Sequence, residues 1–224
     1  VLLAAQEQTG PKVRRKPDPR PEVTGRYADS KRSAQDRARG FGYNDTVFEA
    51  GDCTGSMTAG GLSSLVVVHD LLKKVPKRLK NKAHRAQVKK FRKETEQAVW
   101  DAVAWLSENY TVEENPGSGT NGMWKPSEWH YYYLYGLERA CVLMGKRYLG
   151  THDWYADGAE LLVEAQKDSG KWEPRAESLP LVDTCFALLF LKRAALRTEG
   201  PKRPVITGTP GEKLDPKEDA ADGK

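Results

Sequence analysis

The stretch ELLVEAQKDSGKW, Glu160 to Trp172, decides the fold. It reads as the end of a helix, a tight polar turn and a lone tryptophan. Gly170 can take the positive φ that a sharp turn at a helix end requires. Trp172 can then fold back over the helix it has just left, and Gln166 can satisfy orphan backbone groups beside the turn. The unit recurs. In the middle of the chain Leu106 is followed by three residues and Tyr110, and after a loop Gly122-Met123-Trp124 restores the ending. At the start Leu2 precedes Gln6 by the same spacing. Gly10 follows, and after an insert Gly40-Phe41-Gly42-Tyr43 supplies an aromatic close. Three similar units point to a repeat architecture in which each unit ties one helix to the next.

Between the units the hydrophobic pattern is helical. Residues 56–72 are nearly all apolar, with Gly55-Ser56 as the expected cap. Residues 94–110 are amphipathic through Ala98, Val99, Ala102, Val103 and Leu106. Residues 128–144 begin aromatic, end aliphatic and stop at Gly145. Residues 153–165 are amphipathic again, with Asp153 as cap, and 181–196 are apolar nearly all round. A helix that is apolar all round is expected to be enclosed by others. The alternation predicts an all-α fold of two layers, buried helices inside and amphipathic helices outside. Residues 11–37 and 198–224, rich in Pro and charge, are expected to lack order, and 111–127 read as a loop. Three cysteines without a CxxC pair argue against a disulfide framework. No run of residues is long and apolar enough to predict a membrane span.

The unit in AELLVEAQKDSGKW, with GSMTAGGLSSL, WHYYYLYGLERA, HDWYADGAELL and DTCFALLFLKRA around it, resembles the repeats of the terpenoid cyclase and protein prenyltransferase superfamily, in particular prenyltransferase and squalene oxidase repeat proteins of bacteria. The resemblance covers residues 38–197 and the first ten, with 1–37 as the end of a preceding repeat plus an insert. It implies an α/α toroid, here a partial ring of about three inner helices, completed by a missing part or by a partner. It implies a cavity at the N-terminal ends of the inner helices that takes isoprenoid chains, lined by aromatics such as Trp129, Tyr131, Tyr132 and Tyr135. At helical spacing only about half of the run 129–135 can face inward.

The resemblance also says where chemistry would sit. The cyclase branch uses an Asp-x-Asp-Asp acid, and no such string occurs. The prenyltransferase branch holds zinc through Asp-x-Cys at an inner-helix start and a later histidine. Asp183-Thr-Cys185 looks like the first part, but no histidine follows, so His130 is the substitute, with Cys53 a further candidate. Against zinc, Asp183 can cap its own helix and Cys185 can be a small apolar residue. No cofactor other than zinc is suggested. The expected function is a non-catalytic scaffold for an apolar, isoprenoid-like molecule or a protein partner. The alternative is the C-terminal part of an isoprenoid-handling cyclase or zinc prenyltransferase. The formal charge is +5, concentrated in 73–93, which carries no acid. That run is read as a solvated basic connector leading into a helix, and nucleic acid is not the expected partner.

Overall fold

The computed structural model describes residues 2–16, 19, 27, 35–43, 53–75, 79–117, 127–173 and 179–192. They are mostly helical, with two small antiparallel hairpins. The helices are α1 (Gly55–Lys74), α2 (Lys82–Glu108), α3 (His130–Met144), α4 (Trp154–Ala165) and α5 (Pro180–Lys192); the strands are β1 (Lys12–Arg14) with β2 (Gln35–Arg37), and β3 (Tyr148–Leu149) with β4 (His152–Asp153).

Local chemistry sets the helix ends. Thr54, rather than Gly55-Ser56, caps α1 and accepts from the Met57 amide at 3.3 Å. The Ser56 amide is instead taken by Asn115 Oδ1 at 2.9 Å. Gly145 ends α3 with φ of 69°, and Asp153 caps α4 by accepting from Ala156, both as expected. Pro180 opens α5, where its missing N–H costs nothing. That places Asp183 inside the first turn instead of ahead of it.

The apolar helices touch in series, α1 on α3 and α3 on α5, while α2 packs on α1 and α4 packs on α3 and α5. Leu62, Leu65, Val99, Leu106, Leu134, Leu137, Leu162 and Phe190 fill the space between them. Enclosure of the apolar helices is only partial, contrary to expectation. Val67, Val68 and Leu71 of α1 and Leu181, Cys185 and Leu188 of α5 lie open. Each set falls on one helical stripe, and no described element covers it.

Described parts of the expected insert and of the expected basic connector are regular. Residues 12–14 and 35–37 pair as a hairpin, because Asp36 and Asp101 are buried acceptors that hold it on α2. Asp101 accepts from Arg39 Nε at 2.9 Å, from the Arg37 amide at 2.8 Å and from Gln97 Nε2 at 2.9 Å. Asp36 accepts from Arg15 at 2.8 and 2.6 Å, and Gln97 bridges to it at 3.1 Å. Such charge-assisted, bidentate contacts fix geometry in a way that a charge-rich sequence does not advertise. The basic run is not a connector beyond residue 82. It forms the first turns of α2, capped by Asn81, which accepts from the Ala83 and His84 amides.

Candidate ligand-binding face

The segment that ends at Trp172 works as a latch. Trp172 is 1% exposed, and its indole N–H donates to the Leu162 carbonyl of α4 at 2.8 Å. Its own amide donates to Thr184 Oγ1 of α5 at 3.2 Å. One residue thereby joins α4, through its side chain, to α5, through its backbone. Gly170, with φ of 76°, makes the turn, and Gln166 reaches only the Gly170 carbonyl, in solvent, at 3.0 Å. The first unit repeats the device with other residues. The Phe41 amide donates to Thr58 Oγ1 of α1 at 3.0 Å, matching Trp172 on Thr184. The Phe41 ring sits so close to Gly61 that a Cβ there would lie 2.6 Å from it. Gln6 is buried here and donates to the carbonyls of Ala98 and Arg39 at 3.0 and 3.1 Å. The threonine near the start of each following helix was the available sequence signal for these contacts, in GSMT and VDT, and the sequence reading passes over it. The middle unit replaces glutamine by Tyr110, whose hydroxyl donates to Asp157 at 2.7 Å while His152 stacks on its ring at 4.2 Å. Burial and the neighbouring Asp157 carboxylate raise the Tyr110 phenol well above its ordinary value. Gly122 and Trp124 lie outside the described residues.

α1, α3 and α5 lie in contact in series, and the aromatic run at 129–135 is sorted into two groups. His130, Tyr131 and Tyr133 turn into the bundle and pin loops. His130 Nε2 meets the Val112 carbonyl at 2.7 Å, Tyr133 donates to the Thr111 carbonyl at 2.9 Å, and Tyr131 to the Glu173 carbonyl at 3.4 Å. Tyr131, at 3% exposure, therefore belongs to the packing and not to an open lining. Trp129, Tyr132 and Tyr135 stay on the open side. Tyr132 and Tyr135 each meet Phe186 of α5 with ring centroids 5.4 Å apart, and Trp129 stands edge-on to Tyr132 at 6.3 Å. Trp129 is 43% exposed and has φ of 57°, alone among the described non-glycine residues in being positive. A left-handed tryptophan is strained by roughly 1–2 kcal/mol, and here the strain holds an indole out over the rim. Tyr43 is also exposed, beside Ser56 and Tyr132; partial burial raises its phenol, with the Ser56 hydroxyl pulling the other way. Phe186 and Tyr43 complete a face that the aromatic run alone does not reveal.

The zinc candidates do not gather. Asp183 is buried and Cys185 is exposed, because residues two apart on a helix point to nearly opposite sides. His130 is buried, with Nε2 on the Val112 carbonyl, and Asp183 and Cys185 form no metal-sized cluster with it. Cys53 is buried against Glu7 Oε2 at 3.7 Å. Among the described residues no three His, Cys, Asp or Glu side chains are placed to share a metal. The aromatic face can stack on apolar or cationic groups, and among its described residues it presents no nucleophile paired with a base. Scans against protein-family models, curated proteins and solved structures find no match to this chain.

Proposed function

We propose that the chain is an arc of an α/α toroid and acts as a non-catalytic scaffold, holding an apolar, isoprenoid-like molecule against its aromatic face. The resemblance of the repeat units supports the toroid. So does the serial contact of α1, α3 and α5, with α2 against α1 and α4 against α3 and α5. The open stripes on α1 and α5 are where the rest of the ring, or a protein partner, packs. The observation that carries the ligand reading is the sorting of one aromatic run. His130, Tyr131 and Tyr133 are sealed in, while Trp129 is exposed and Tyr132 and Tyr135 stay half-buried around Phe186. Large rings left partly in water cost hydrophobic free energy that full core packing would have recovered.

Titration with farnesol and geranylgeraniol, followed by tryptophan fluorescence, tests this reading. Saturable binding is expected, about tenfold weaker in Tyr132→Ala, since burying apolar area of about 55 Å² against the ring contributes about 1.4 kcal/mol. The longer alcohol should bind more tightly. No saturable change, or equal binding by the variant, would overturn the reading.

A further inference from the structure

The N-terminal half of α2 has no role in the aromatic face or the latches. From Asn81 to Glu94 every residue is exposed except Val88 and Arg92, which are half-buried. Six cations lie here: Lys82, Arg85, Lys89, Lys90, Arg92 and Lys93. No acid occurs in the sequence between Asp70 and Glu94. At 3.6 residues per turn the six fall within an arc of about 160° and over about 17 Å of axis. His84, Gln87, Val88 and Phe91 occupy the opposite side. Among the described residues only Lys90 of the six has an acidic partner, Glu94 at 3.8 Å, with both side chains open to water. Such a pair is worth little. Lys80 adds an exposed positive charge just ahead of the same helix.

The geometry points to this half-helix as a docking surface for the phosphate backbone of duplex nucleic acid, read by charge and not by base. A helix about 10–12 Å across with cations on one side fits against a groove about 12 Å wide flanked by phosphates. An anionic bilayer is the competing polyanion. An interfacial helix buries a continuous face of large apolar residues, opposite its cations, in the headgroup layer. Here the opposite side offers only Val88, already half-buried in the protein, and Phe91, with the polar His84 and Gln87 beside them. The arrangement therefore favours a rigid, hydrated polyphosphate over a membrane. This surface is independent of the isoprenoid reading and can stand or fall without it.

Fluorescence anisotropy of a labelled 20-bp DNA duplex of arbitrary sequence, titrated with the whole chain, tests the inference. If four to six of the cations engage, the slope of log K against log salt is about −4 to −5. Affinity then falls about 10²–10³-fold from 50 to 200 mM salt. Replacing Lys82, Lys89, Lys90 and Lys93 together by Gln should weaken binding at least tenfold and flatten the slope, with helicity and unfolding midpoint unchanged. A charge-matched control, Lys12→Gln with Lys167→Gln, Lys171→Gln and Lys192→Gln, all exposed and outside α2, should bind like the parent. Absence of binding at 50 mM salt, or equal loss in both variants, overturns the assignment. So does binding to vesicles containing phosphatidylserine without binding to the duplex.

Discussion

Replacing Trp172 by phenylalanine tests the latch that joins α4 to α5. Phenylalanine keeps an aromatic ring in the slot but removes the indole N–H that donates to the Leu162 carbonyl at 2.8 Å. The backbone bond to Thr184 survives. Leaving a buried carbonyl short of its donor costs about 1–3 kcal/mol. Shrinking a side chain that is 1% exposed adds about 1 kcal/mol for lost contact and residual cavity. The sum is about 2–4 kcal/mol, or roughly 5–15 °C in Tm for a chain of this size. Gln166→Ala is the control from the same motif. Its bond to Gly170 lies in solvent, so the cost should stay within about 0.5 kcal/mol. In the first unit the weights reverse. Gln6 is 1% exposed and gives two hydrogen bonds, so Gln6→Ala should cost about 1–3 kcal/mol. Urea unfolding followed by far-UV circular dichroism separates the three variants. Equal losses for Trp172→Phe and Gln166→Ala would refute the claim that the tryptophan, and not the glutamine, fastens the last pair of helices.

Two adjacent glycines in α1 should respond with opposite sign. A Cβ on Gly60 meets nothing within 4 Å, whereas one on Gly61 would lie 2.6 Å from the Phe41 ring. Gly60→Ala should therefore stabilise by about 0.5–1 kcal/mol, and Gly61→Ala should destabilise by about 1–3 kcal/mol, as read by thermal unfolding. Stability should also fall in alkali. Burial raises the Cys141 thiol and the Tyr133 phenol above their ordinary values of 9.0 and 10.0. Above those values the unfolded chain loses protons that the folded chain retains. Each group then removes about 1.4 kcal/mol per pH unit, until pH reaches the raised value. Cys141→Ala should make the decline shallower between pH 9 and 10 in urea titrations at fixed temperature; an unchanged slope would show that this thiol is not held protonated by the fold.

What could be read in advance was what local rules govern. Gly145 and Gly170 take positive φ because a helix end demands it, and Asp153 caps because its side chain reaches Ala156. Trp172 folds back because the spacing leaves it no other wall. The basic half of α2 escaped the reading for the converse reason. It packs against little, so it carries no apolar stripe, and its signals were the cap at Asn81 and a run of good helix formers. The β1–β2 hairpin escaped because Arg39 and Asp101, 62 positions apart, meet only after α2 is in place. In the candidate site, period 3.6 implied that the run 129–135 must divide, but the side that stays open was set by Phe186, more than fifty residues away.

The apolar helices show where such a rule has to be restated. A helix that is apolar all round must be covered, yet nothing requires its own described neighbours to cover it. In α5, Asp183, Ala187 and Phe190 are buried, with Phe190 packed against Gly158 of α4. Leu181, Cys185 and Leu188, at intervals of four and three, repeat the same spacing on the open side. That interval packs helix against helix, and it recurs in Ser64, Val67 and Leu71 of α1. Two faces with packing spacing, one on the first and one on the last apolar helix of the row, are what the proposed arc would present at its two open edges.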